Sequence, residues 1–177
     1  REVAQQYGIY IGGSHCEPMA SSTAGEWPAR GKGQYDFVHN KENVLQFWED
    51  RVKEVAGQPI LYTIGMRGVH DGAMQGAKTM EEQKTILNSV LKAQRELLAK
   101  YINKDVTQVP QLFVPYKEVL DVYHAGLQVP EDVCLVWCDD NYGMVRHFPT
   151  AAERARKGGN GIYYHVSYWG RPHDYLW

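Results

Sequence analysis

Apolar positions in this chain gather into short runs separated by longer amphipathic stretches. Runs rich in β-branched and aromatic residues occur at 7–11, 60–64, 112–114, 133–138 and 162–167. They are apolar on both faces, as parallel strands covered on both sides are, so each predicts a strand. Between them the apolar spacing turns helical. Val44, Phe47, Trp48, Val52 and Val55 form one stripe, stopped by Gly57 and Pro59. Thr79 and Glu82 have capping-box spacing and precede Leu87, Val90, Leu91, Leu97, Leu98 and Tyr101. A short helix is predicted from Lys117 to Ala125, with Gly126 as its stop. Thr150 and Glu153 cap another that runs to Gly158 and Gly159.

Strand and helix alternate throughout, which argues for an α/β fold with a parallel sheet. Five strand-helix units are fewer than the eight of a closed barrel. The expectation is therefore a single domain over residues 1–177 that forms part of a (β/α)8 TIM-type barrel, with a small doubly wound sheet as the alternative. The bulky apolar ending Tyr175-Leu176-Trp177 favours a piece of a larger barrel. The Gly-rich, polar stretch 12–40 is too long for a plain connector and is expected to belong to a site.

With 44% hydrophobic residues in 177, the chain can bury one substantial core. A formal net charge of -2 gives no electrostatic reason to expect nucleic acid or an anionic membrane as partner. No apolar stretch approaches the length of a membrane span. Cys134 and Cys138 lie four apart on one strand, roughly 13 Å by the strand rise, beyond disulfide reach.

The residues that follow each strand change the picture. They include His15 and Glu17 after the first, Arg67, His70 and Asp71 after the second, and Tyr116, Lys117 and Glu118 after the third. Asp139, Asp140 and Asn141 follow the fourth, and His165, Tyr168 and Trp169 close the fifth. In parallel α/β folds ligands bind at the carboxyl ends of the strands. A single Asp or Asn there is often only a helix cap, and a lone His is more often structural. Five successive strand ends carrying such groups point to a catalytic site.

Three chemistries fit this set. A glycosidase needs two flanking carboxyl groups, for which Asp71 and Glu118 are candidates with Asp139 a third. Trp27, Tyr168 and Trp169 then offer ring faces to sugars, although Trp27 can equally anchor its loop. A Mg-dependent, enolase-like lyase or isomerase would instead use Asp71, Glu118 and Asp139 as oxygen ligands. Carbohydrate binding without catalysis is the third. His15, His70 and His165 lack the HxH or HExxH spacing of a zinc site, and Gly12-Gly13-Ser14 lacks a phosphate-loop Lys.

Together, several segments resemble glycoside hydrolase family 115: Ile11-Gly12-Gly13-Ser14-His15-Cys16-Glu17-Pro18-Met19, Gly65-Met66-Arg67-Gly68 with His70-Asp71, and Pro115-Tyr116-Lys117-Glu118-Val119-Leu120. So do Trp137-Cys138-Asp139-Asp140-Asn141-Tyr142-Gly143, Tyr163-Tyr164-His165-Val166-Ser167-Tyr168-Trp169-Gly170 and Asp174-Tyr175-Leu176-Trp177. The resemblance implies a xylan α-1,2-glucuronidase that removes glucuronic acid, or its 4-O-methyl ether, from glucuronoxylan with inversion and without a cofactor. It also implies a large, secreted or periplasmic parent, often a homodimer, with a central (β/α)8 barrel. By the same resemblance Asp71 and Glu118 fall at the catalytic carboxylates, and Arg67, Asp139, Asn141, His165 and Tyr168 line the pocket. His15 and Trp169 complete the expected substrate contacts. Met144 departs from the aromatic expected after Gly143. Arg67 is the first candidate to hold the substrate's own carboxylate, or else it pairs with Asp71 or Asp139 and orients them. Lys117 would keep Glu118 ionised if it points inward.

Overall fold

The computed structural model describes residues 2–140 and 142–166. Its five strands are β1 (Ile11–Gly12), β2 (Ile60–Ile64), β3 (Gln111–Phe113), β4 (Cys134–Cys138) and β5 (Asn160–Tyr163). All neighbouring pairs are parallel and the spatial order is β1-β2-β3-β4-β5. A doubly wound sheet reverses direction at a switch point. A strictly sequential order with right-handed crossovers instead puts every connecting helix on one face. The sheet is therefore a half-barrel of TIM type, and the doubly wound alternative falls.

Two α-helices make most of the outer layer. The chain begins with α1 (Glu2–Gln6) and a short α2 (Trp27–Arg30), followed by α3 (Lys41–Glu54) and α4 (Met80–Tyr101). Val44, Phe47, Trp48 and Val52 of α3 pack with Leu87, Val90, Leu91 and Leu98 of α4 in one buried cluster. The same cluster holds Ile60, Tyr62, Ile64, Phe113, Leu135 and Trp137, every second residue of β2, β3 and β4. The intervening residues point the other way, where Val114, Tyr116 and Cys138 form a smaller cluster with Leu112, Val136 and Tyr163. That smaller cluster lies on the concave face.

Several boundaries differ from the sequence reading. The first strand is not 7–11 but the two residues Ile11–Gly12. Tyr7, Ile9 and Tyr10 are exposed, and Tyr7 and Gly8 instead close the turn after α1 by donating to the carbonyls of Ala4 and Gln5. The last strand begins two residues early, at Asn160, because Trp137 Nε1 donates to the Asn160 side chain at 2.8 Å on the outer face. The helices α5 (Glu118–His124) and α6 (Ala151–Arg154) are both shorter than expected. Helix α6 stops before Gly158, where a side chain would meet the Val133 backbone at 2.3 Å. Both capping boxes form, Thr79 with Glu82 and Thr150 with Glu153. The stretch 12–40 mostly wraps the core: Met19, Trp27, Tyr35 and Phe37 are buried. Trp27 is a loop anchor rather than a sugar platform, since its Nε1 donates to the Gly33 carbonyl and its ring sits edge-on to Tyr35 and Phe47.

One buried polar side chain ties the outer layer to the rim of the sheet. Gln94 of α4 is fully buried and accepts from Gly65 N at 2.7 Å while donating to Gly65 O at 2.9 Å. Gly65 ends β2 with φ 102°, and a side chain there would meet the Phe113 ring at 2.9 Å. Here glycine is required both by conformation and by space. Gln94→Leu would strand both backbone groups in the core and is expected to cost about 2–4 kcal/mol. A lower denaturation midpoint for this variant, at unchanged helical content, checks it.

Candidate active site

The site begins where β2 gives way to the loop that Gly65 opens. Met66 is buried behind it and Arg67 follows, with its side chain only 3% exposed. The loop doubles back through a Gly68 N to Gly72 O hydrogen bond at 2.8 Å, which returns Asp71 to Arg67. His70 takes φ 54° in this turn, held by its N–H donating to Thr23 Oγ1 at 2.8 Å. On the neighbouring strand end, Lys117 has φ 50° and precedes Glu118 in the first turn of α5. Non-glycine residues at positive φ are costly and gather at functional sites.

Arg67 joins the two acids. Its Nε and Nη2 donate to the two oxygens of Glu118 at 3.0 and 2.9 Å, and its Nη1 pairs closely with Asp71 Oδ1. The guanidinium also lies 5.3 Å from the Tyr116 ring centre. Asp71 collects two further donors, Lys117 Nζ at 2.7 Å and His15 Nε2 at 3.0 Å. Lys117 therefore serves Asp71, not Glu118 as its place in the sequence suggested. Burial pushes the Asp71 carboxyl up, but the hydrogen bonds from Lys117 and His15 and the charge of Arg67 outweigh it. The net effect holds Asp71 well below the usual carboxylate range.

His15 is sandwiched by aromatics. Its ring lies 4.1 Å from Tyr116 and edge-on to Tyr163 at 5.9 Å. Burial lowers its pKa, the Asp71 contact opposes that, and Arg67 adds to the lowering. A neutral ring whose Nε2 donates to Asp71 leaves Nδ1 as a bare acceptor, and Nδ1 is buried without a partner among the described residues. A second acid-histidine pair lies two strands away. The side chain of Asp139, fully buried, accepts from His165 Nδ1 at 2.5 Å and from the His165 backbone N–H at 3.2 Å. The structure thus brings His15, Arg67, Asp71, Glu118, Asp139 and His165 to one rim of the sheet. Asn141, Tyr168 and Trp169 lie outside the described residues.

Beside this rim is a cavity of about 540 Å³ whose wall includes Tyr116, Lys117 and Asp139, with Asp121, His124 and Arg146 farther round. Tyr116 and Tyr163 are the residues that sequence reasoning left without a role. Their signal was an aromatic at the strand end on the inward register. Burial pushes the Cys138 thiol up to about 12, so this cavity residue is no thiolate nucleophile. The ligand set of the magnesium reading is committed elsewhere: Asp71 and Glu118 engage Arg67, and Asp139 engages His165. Among the described residues no group of three or more His, Cys, Asp or Glu is placed to hold a metal ion.

The profile of glycosyl hydrolase family 115 matches residues 1–177. The chain belongs to that family. Among solved structures, a family 115 4-O-methyl-α-glucuronidase with specificity for decorated arabinogalactans is 76% identical and superposes with a TM-score of 0.94. The match covers 99% of this chain and 23% of that one, so this chain spans about a quarter of its relative's length. No curated protein matches the chain. The rim just described is therefore a rim of a family 115 barrel, and its acids are arranged in pairs with a cation or a histidine between or beside them.

The state of Asp71 has a consequence for pH. Its folded-state pKa is depressed, so its contacts stabilise the fold fully above the unfolded value of about 3.9 and are lost as pH falls below it. The difference in denaturation midpoint between wild type and Asp71→Asn is expected to be constant from neutral pH down to about pH 5 and to shrink progressively in more acid solution. Acid titration of the two proteins side by side, followed by circular dichroism, measures it.

Proposed function

We propose that the whole protein removes α-1,2-linked glucuronic acid, in particular its 4-O-methyl ether, from a plant polysaccharide by inverting hydrolysis. The observation that carries this reading is the clamp itself: Asp71 and Glu118, from adjacent strand ends, share one buried guanidinium in a family 115 chain. An inverting glycosidase works with an acid and a base set far enough apart to admit water. The two carboxylates sit on different nitrogens of one guanidinium, which holds them as separate groups facing one rim.

The roles follow from the partners. Asp71 receives two cations and a histidine N–H, whereas Glu118 receives one cation. The better-stabilised carboxylate suits the base that activates water, and Glu118 is left as the proton donor, a role in which one of its oxygens gives up its Arg67 N–H bond and carries the proton to the leaving oxygen. Asp139 and His165, with His15, shape the pocket around the sugar.

The motifs alone imply glucuronoxylan as the polymer. The relative's specificity for decorated arabinogalactans favours a glucuronosylated arabinogalactan as a second reading, and the two make different demands only on the polymer backbone. Incubation of the whole protein with each polymer, with EDTA present, should release uronic acid, and proton NMR of the first product should show the inverted β-anomer. Asp71→Asn and Glu118→Gln should each lower kcat by at least about a thousand-fold while the fold is retained. Retention of configuration, or activity lost to chelation and restored by Mg²⁺, would refute the mechanism. Faster release from one polymer decides between the two substrates.

A further inference from the structure

The chain between β4 and α6 turns back on itself and forms one wall of the cavity. Asp139 and Val145 pair as an isolated antiparallel bridge, and between them Asp140 N donates to the Met144 carbonyl at 2.8 Å. The outgoing leg of this hairpin starts at the acid rim, where Asp139 is bonded to His165. The return leg leads to His147, which has no part in the chemistry of the acids.

His147 is engaged on three elements at once. Its Nε2 donates to Glu153 Oε2 of α6 at 2.9 Å, its Nδ1 lies 2.9 Å from His124 Nε2 of α5, and its ring stacks on Trp137 of β4 with centroids 4.0 Å apart. The side chain is 14% exposed. Burial pushes the Glu153 carboxyl up, but the Thr150 backbone N–H and the hydrogen bonds from His147 and Tyr123 outweigh it and hold it at about 2. Glu153 is therefore an acceptor only, which fixes a proton on His147 Nε2. In the neutral ring Nδ1 is then a lone pair, and the N–H of His124 Nε2 fills it. This contact ties the hairpin to α5, the helix whose first turn carries Glu118.

Two rings joined in this way respond to protons. One added proton still leaves a donor facing an acceptor, on whichever ring it settles. A second puts an N–H on both nitrogens and sets two imidazolium groups against each other. The charges around the pair do not replace the contact. Tyr123 of α5 is bonded to Glu153, Asp121 of α5 lies on the cavity wall, and Arg146 of the hairpin is bonded to Asp140. Arg156, beyond α6, bonds Glu131 and the Pro130 carbonyl, and β4 presents only the uncharged ring of Trp137.

We infer that His147 is a positioning residue: by tying the return leg of the hairpin to α5 it holds Asp139 and the cavity wall against the acid pair, and it releases them when both histidines are protonated. This rests on the glucuronidase reading above and adds to it a control of substrate binding by pH.

The test uses the whole protein at about pH 7.5 and about pH 5.5, on either side of the histidine range. One readout is kinetics on an oligosaccharide bearing an α-glucuronosyl group. The other is amide hydrogen exchange over residues 142–149, corrected for the intrinsic effect of pH. His124→Gln keeps a group that can donate to His147 or accept from it in either state. Between the two pH values KM of wild type should rise about five-fold more than KM of this variant, while kcat of the two proteins follows one course. Protection of 142–149 should be lost at the lower pH in wild type and kept in His124→Gln. His147→Phe keeps the stack on Trp137 and loses both hydrogen bonds, so it should show the raised KM and the fast exchange already at the higher pH. Equal pH dependence of KM in wild type and His124→Gln would overturn the assignment. So would wild-type KM and protection in His147→Phe, or loss of protection with no change in KM. A wild type that cleaves no glucuronosyl compound at either pH would instead sink the glucuronidase reading, and the positioning role with it.

Discussion

The buried guanidinium of Arg67 is the constraint around which the rim of this sheet is built. It is the residue two beyond the glycine that ends β2, and it reaches both the loop that follows β2 and the first turn of α5. Left without either partner, it would be a charge buried beside Tyr116, and such a charge is several kcal/mol unfavourable. The acids therefore have to come to it. The Gly68–Gly72 turn and the left-handed backbone at His70 and Lys117 are the local distortions that let them do so. The clamp accounts in this way for the positive φ of His70 and Lys117.

The support of the clamp comes from the opposite face of the sheet. Gln94 hydrogen-bonds both backbone groups of Gly65 from helix α4, which fixes the direction in which the chain leaves β2. Arg95, the next residue on the helix, makes a bidentate pair with Asp132 at 2.8 and 3.1 Å and bonds Gln111 at the start of β3. One helix thus sets the exit of β2 and the entry of both β3 and β4. The positions of Asp71, Glu118 and Asp139 are consequences of how α4 sits on the sheet.

Much of the fold was legible because its signals are local. The capping boxes at Thr79 and Thr150 satisfy backbone donors within their own turn, so the residues that announce each helix are the residues that start it. The alternation of strand and helix carried the parallel sheet in the same way. The first strand was misplaced because Tyr7, Ile9 and Tyr10 look like a strand to any local rule, while their exposure depends on what lies across from them. The choice for Trp27 between sugar platform and loop anchor, and the partner of Lys117, stayed open for a related reason. Whether an aromatic faces a ligand or a core, and which of two acids a lysine meets, depends on residues tens of positions away. For Arg67 the alternatives of substrate and neighbouring acids were both legible in sequence, and which acids it meets depends on where two separate loops fold.

The half-barrel geometry makes the clamp more than a convenience. Neighbouring parallel strands lie about 4.8 Å apart. Acids carried on the loops beyond two adjacent strand ends can therefore approach each other unless something is set between them. In this chain that wedge is a guanidinium, planar and permanently charged, with nitrogens on separate edges for the two acids. A lysine in its place would offer a single point and let the carboxylates approach each other. An uncharged residue of the same length would let them repel and reorient. The same charge that spaces the acids also stabilises their ionised forms. Lys117, immediately before Glu118, adds a second cation to Asp71 from a backbone at φ 50°.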